Sequence, residues 1–185
     1  MKAVPETPEE GPKEYSYTGK GVNKPFLYPG EFFFGESDCQ INTILGSCVA
    51  ITLWHPFLRI GGMCHFVLPG RRAPDRVIRT DSTLDGRYLD AAMALFEIEV
   101  EMRGTNLEEY HAKIFGGGNM IVDSTQEENE LIGSKNIEAA INLLSEKGIP
   151  PIVSHVGGAG HRRIVFDVSS GHVWVKHEPL QKIIT

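Results

Sequence analysis

The stretch Leu45–Pro69, LGSCVAITLWHPFLRIGGMCHFVLP, holds two apolar runs rich in β-branched and aromatic residues around a central HPFL. Pro56 occupies a favoured turn position, so the segment reads as a β-hairpin. A loop symmetric about the Pro56–Phe57 bond pairs Trp54 with Arg59, Thr52 with Gly61 and Cys48 with His65. Residues directly opposite in an antiparallel pair share a face, with Cβ atoms about 4.5–5.5 Å apart. This register puts a thiol against an imidazole, and a slip of one residue would bring Cys64 there instead.

Working outward, INTILGSCVAITLW reads as the first strand of the hairpin, and PFLYPGEFFFG before it reads as an opening strand or strand pair. Residues 1–24 are rich in Pro, Glu, Lys and Gly without apolar period, which reads as a mobile N-terminal extension. Residues 25–185 form the expected single domain. After the hairpin, the polar loop 70–87 carries Arg71, Arg72, Arg76, Arg79 and Arg87, a basic rim suited to attracting an acidic protein. Leu89, Ala92, Met93, Phe96 and Val100 then recur at helical spacing before Gly104. HAKIFGG is strand-like, and Ile137, Ala140, Ile141 and Leu144 mark a second helix ended by Gly148. PPIVSHVGG and a hairpin turning at Ser170–Gly171 close the chain. Hairpins interrupted by two main helices indicate an α+β layered sandwich of mostly antiparallel strands.

The chain has 185 residues, 41% of them hydrophobic, a formal net charge of −6 and three cysteines. An acidic balance argues against a nucleic-acid binder, which needs a basic footprint. No apolar run is long enough to span a bilayer and the amino terminus lacks a secretory signal, so membrane insertion is not expected and a cytoplasmic location is. Cys39, Cys48 and Cys64 form no CxxC pair, and the spacing of His155 and His161 around VGGAG is one that no common metal motif requires. Neither a metal nor an organic cofactor is expected.

Cys48 follows Gly46 and Ser47, small residues that let substrate approach the backbone closely. A free thiol is mostly protonated at neutral pH, and a facing His65 can accept its proton and return it to a leaving group. Thr43, Asn42 or Ser47 could orient that imidazole without adding charge, Thr43 being the first choice. The clusters FGGGNM and VGGAGHRR read as tight turns. Where they line the thiol's cleft, the backbone N–H groups of Gly117 and Gly118, with Gly46 and Ser47, become candidates for binding substrate or an oxyanion.

TILGSCVAITLW, GGMCHFVLP, RYLDAAMALF, AKIFGGGNM, IGSKNIEAA and GGAGHRRIVFD stand in the order and spacing of the CheD chemoreceptor glutamine deamidases, which this chain resembles over about residues 28–177. The resemblance implies an α/β/β sandwich, similar to bacterial toxins that deamidate glutamine. It further implies Cys48 as nucleophile, His65 as general base and Thr43 as the third catalytic residue. The implied activity is hydrolysis of receptor glutamine amides to glutamate and ammonia, with glutamyl methyl ester hydrolysis as a related activity. The implied partners are chemoreceptor cytoplasmic helices and a CheC-type response-regulator phosphatase. A mainly regulatory interaction module binding that phosphatase is the alternative, and a different thiol hydrolase or redox sensor using Cys48 and Cys64 is a further rival.

Overall fold

Between Gln40 and His55 the chain makes two strands rather than one, and they belong to different sheets. The structure is a computed structural model describing residues 22–70, 84–120 and 127–180. In it, β1 (Phe32–Gly35) is followed by β2 (Gln40–Leu45), β3 (Val49–His55) and β4 (Ile60–Phe66). Then come α1 (Leu89–Met102), β5 (His111–Gly116), α2 (Glu127–Glu146), β6 (Val153–Val156), β7 (His161–Asp167) and β8 (Val173–Glu178). A five-stranded sheet has the order β1-β4-β3-β5-β6, and a three-stranded sheet the order β2-β7-β8. All pairs are antiparallel except β5–β6, whose connection runs through α2.

The split between β2 and β3 follows from their surroundings. In β2, buried Ile41, Thr43 and Leu45 alternate with more exposed residues, because one face of the three-stranded sheet meets water. In β3 nearly every residue is buried, because this central strand is covered on both faces. Gly46 and Ser47 turn the corner between them.

The hairpin is real, but its register differs from the symmetric-loop expectation. Ala50 opposes His65, Trp54 opposes Gly61, and His55 opposes Ile60. Cys48 therefore does not face His65 directly. His55 stays in the strand because its ring is buried against Tyr110, with centroids 5.1 Å apart. The loop closes one residue later, through Arg59 at a left-handed φ of 52° and its N–H bond to the His55 carbonyl. Every pairing moves by two residues, and side chains alternate with period two, so each residue keeps its expected face.

Two apolar layers flank the larger sheet. On the helix side, Val49, Ile51 and Leu53 of β3 and Cys64 and Phe66 of β4 meet Leu89, Ala92, Met93 and Phe96 of α1 and Ala140 and Leu144 of α2. On the other side, Ala50, Met63 and Phe115 meet Ile41, Leu45, Ile164 and Phe166 of the smaller sheet. The result is an α/β/β sandwich. The predicted helical stripe of α1 is buried as expected, whereas Ile141 of α2 is 36% exposed at the edge of its stripe. The sheets are also pinned by polar bonds, Trp54 Nε1 donating to the Val168 carbonyl at 2.8 Å and Lys113 Nζ to that of Gly171 at 2.7 Å.

Residues 1–21 of the extension and Arg71, Arg72, Arg76 and Arg79 of the basic loop lie outside the described residues. Asn23, within the segment read as extension, accepts a backbone bond from Gln40 and donates one to Asp38. Arg87 is exposed and paired with Asp85 at 2.8 Å.

Phe96 is fully buried and meets the ring of Phe32 edge-on at 4.8 Å. Phe96→Ala removes that contact and leaves a cavity, so chemical denaturation of the variant is expected to show a loss of about 3–5 kcal/mol.

Candidate active site

The corner between the sheets is where the sequence-derived residues gather. Thr43 lies on β2, Cys48 immediately before β3, and His65 near the end of β4. Cys48 packs with Ala50 on the inter-sheet side, and His65 opposes Ala50 on that same face. Thiol and imidazole thus share a face, one rung apart. Cys64 lies in the helix-side layer, and its complete burial pushes the thiol up to about 12. All three cysteines are free thiols.

One hydrogen-bond relay fixes the state of His65. Thr43 Oγ1 stands 2.7 Å from the Leu27 carbonyl and 2.9 Å from His65 Nδ1. A hydroxyl has one proton, and a carbonyl can only accept. The Thr43 proton therefore goes to Leu27, and Nδ1–H donates to Thr43. Nε2 then carries the free lone pair, and it has no hydrogen-bond partner among the described residues. This is the tautomer a base toward Cys48 requires. Asn42, the neighbouring alternative, turns its amide to the Gln40 carbonyl instead.

The relay depends on a segment whose role was not read from sequence. Pro25 and Leu27 bond to Asn42 of β2, while Gly30 and Glu31 bond to His65 of β4. The segment therefore spans both sheets and holds the Leu27 carbonyl between Thr43 and His65. Its only sequence signal was an aromatic-rich run.

Burial sets the electrostatics. Desolvation pushes the half-buried Cys48 thiol up. Desolvation also pulls His65 down, against smaller opposing effects of the Leu27 carbonyl and the Glu31 carboxylate. Both shifts favour the neutral forms of the two groups.

The glycine-rich segment braces the corner. Gly117 N–H donates to the Cys48 carbonyl and Gly118 N–H to the Gly46 carbonyl, both at 2.8 Å. These two N–H groups are occupied, which removes Gly117 and Gly118 as oxyanion donors and makes them struts. Gly117 has a φ of 63°, and a Cβ there would strike Ile137 of α2. Gly46 is covered by Met120, whose side chain a Cβ would meet. The N–H groups of Ser47 and Cys48 donate to no backbone carbonyl among the described residues, and the Cys48 N–H supports its own sulfur.

Two further polar residues were missed in the sequence. Asn136 is buried on α2 and donates to the carbonyls of Ser47 and Val67. It falls on the stripe of Ala140 and Leu144 at four-residue steps, and a polar residue in an apolar stripe was the available signal. Arg162, buried on β7, donates to His155 Nδ1 at 2.9 Å and to the Gly157 carbonyl. His161 pairs with Glu178, and His177 meets the Ala159 carbonyl, so these histidines serve the loops around the smaller sheet. No helix among the described residues is long and apolar enough to cross a membrane.

In the native protein, Cys48 is expected to react first with iodoacetamide, at a rate rising with pH through about 8.5 and above. Mass analysis should find Cys39 and Cys64 modified only after denaturation.

Comparisons with known proteins bear on the family of the chain. Residues 68–177 match the sequence model of the CheD family, described as CheD chemotactic sensory transduction. The chain is 47% identical, over 83% of its length and 87% of the relative's, to a Dechloromonas aromatica protein named probable chemoreceptor glutamine deamidase CheD 3. It is 48% identical to the Albidiferax ferrireducens protein named probable chemoreceptor glutamine deamidase CheD 2, over 80% of this chain and 84% of that one. A Pseudomonas savastanoi protein named probable chemoreceptor glutamine deamidase CheD is 42% identical over 90% of this chain and 91% of its own. With its family segment matched over more than half its length and these relatives covered almost end to end, the chain belongs to the CheD family.

Proposed function

We propose that the protein hydrolyses the side-chain amide of specific glutamines on methyl-accepting chemoreceptors, giving glutamate and ammonia. Relatives named chemoreceptor glutamine deamidase support the activity and its substrate class. The observation that supports Cys48, His65 and Thr43 as its machinery is the Leu27–Thr43–His65 relay, which leaves Nε2 as the base on the nucleophile's face. Residues 25–185 act as one catalytic unit, in the cytoplasm where receptor signalling helices lie.

The reaction begins from the neutral pair. As Cys48 Sγ attacks the amide carbon, its proton passes to His65 Nε2, so no thiolate has to be stored in a desolvating site. The N–H groups of Ser47 and Cys48 are the donors available to the developing oxyanion. Collapse of the tetrahedral intermediate breaks the C–N bond, and the Nε2 proton leaves with ammonia. Water then attacks the thioester with His65 again as base, releasing glutamate and restoring the thiol. Through both steps Thr43 holds the Nδ1–H, which keeps the ring from turning. A glutamyl methyl ester can follow the same path, with methanol leaving in place of ammonia.

The test is ammonia release and peptide mass from receptor cytoplasmic domains incubated with the full chain. A one-dalton gain at particular glutamines is expected with wild type and not with Cys48→Ala or His65→Ala. Thr43→Val removes the acceptor of Nδ1–H, and kcat is expected to fall by about 10–100-fold with little change in KM. If wild type binds the receptor and a CheC-type phosphatase but releases no ammonia, the interaction-module reading takes its place.

The pH dependence follows in sign from the burial of His65. Its basic form survives below the ordinary histidine value of about 6.5. The acid limb of kcat/KM is therefore expected to have its midpoint below that value, with activity retained as pH falls through 6.5 and lost only when the buried imidazole protonates. A midpoint at or above about 7 would contradict the neutral resting pair.

A further inference from the structure

We infer that Asn136 is a positioning residue of the active site: its side-chain amide replaces the backbone rung at which hairpin β3–β4 opens, and so sets Cys48 against His65. The inference rests on the Cys48–His65 reading above.

Val49 and Phe66 are the last residues paired between β3 and β4. Beyond them the two chains part, because each turns to a different neighbour. The N–H groups of Val67 and Leu68 both donate to the Arg87 carbonyl at 2.9 Å, and the Cys48 carbonyl accepts from Gly117. At this split, Asn136 Nδ2 lies 3.2 Å from the Ser47 carbonyl and 2.8 Å from the Val67 carbonyl. Ser47 precedes the nucleophile, and Val67 follows the base by two residues. One nitrogen thus ties the nucleophile's strand end to that of its base.

Few side chains can make this tie. A primary amide nitrogen carries two hydrogens and no charge, so it can serve two carbonyls at once inside an apolar layer. A hydroxyl has one proton, and an ammonium would be buried with its charge unanswered.

The tie also has costs that packing alone would not require. Asn136 is fully buried on the stripe of Ala140 and Leu144, and its Oδ1 has no hydrogen-bond partner among the described residues. A buried acceptor left unpaired is unfavourable, and asparagine is a poor residue for a helix interior. What the position supplies in return is the double bond to Ser47 and Val67. Displacement of reacting groups by about 1 Å can slow a reaction about 100-fold, so the corner's placement is where the benefit appears.

The experiment compares receptor deamidation and thermal melting for the full chain as wild type, Asn136→Ala, Asn136→Asp, Asn136→Gln and Cys48→Ala. Folded Ala and Asp variants should lose about 10–100-fold in kcat with KM within about twofold. Their residual activity should climb toward alkaline pH, following thiol ionisation instead of His65 deprotonation. Asn136→Gln, which keeps both N–H donors, should recover part of kcat. Wild-type kcat and an unchanged pH profile in a folded Ala or Asp variant would overturn the inference, as would a change confined to KM. If neither variant folds, hydrogen exchange of the wild-type Asn136 side chain decides: two slowed protons support the tie, and one in fast exchange overturns it. Activity surviving Cys48→Ala would instead overturn the underlying dyad reading.

Discussion

The passage of the chain from one sheet to the other between Leu45 and Val49 is the constraint on which the rest of this molecule depends. A strand that leaves its sheet gives up its ladder partners, and the backbone groups at the corner must find others. Here the Gly46 and Cys48 carbonyls are taken by Gly118 and Gly117, and the Ser47 carbonyl by Asn136. The glycine-rich exit of β5, the middle of α2 and the Gly46–Cys48 turn are thereby fastened together. Close approach of these backbones explains the glycines, since a Cβ at Gly116 or Gly117 would strike the Cys48 carbonyl or Ile137.

The same corner explains how His65 is oriented without a carboxylate. Thr43 and His65 come from different sheets, and the Pro25–Glu31 segment crosses between them to supply a carbonyl. A charged orienting group would hold His65 protonated and favour a stored ion pair with the thiol. A hydroxyl that has already committed its proton to Leu27 does something different: it accepts Nδ1–H, fixes the tautomer and leaves burial to keep the ring neutral. Burial desolvates Cys48 as well and favours its neutral thiol.

The layered architecture was legible from particular segments. The period of Leu89, Met93, Phe96 and Val100 marked α1, and hairpin spacing marked β3–β4 and β7–β8. The contrast between alternating INTIL and the continuous apolar run VAITLW was also present, and it distinguishes a strand with one wet face from a central one. The hairpin register was harder to read, because it turned on whether His55 ends a strand or begins a loop. That choice was made by Tyr110, distant in sequence, packing on the His55 ring. The shared face of Cys48 and His65 survived because the shift was by two residues, the period of a strand.

The sequence by itself determined the kinds of groups and their faces: a thiol after two small residues, a histidine on the neighbouring strand, a threonine upstream, and cysteines 48 and 64 on opposite sides of the sheet. Those are local properties, set by alternation along a strand and by turn chemistry. Only the tertiary structure decided which nitrogen of His65 is free, that the N–H groups of Gly117 and Gly118 are occupied, and that Asn136 reaches the corner from α2. Each of these rests on atoms brought within hydrogen-bond distance by the stacking of separate layers. No pattern along one segment encodes such a meeting, because it depends on how all three layers are packed at once.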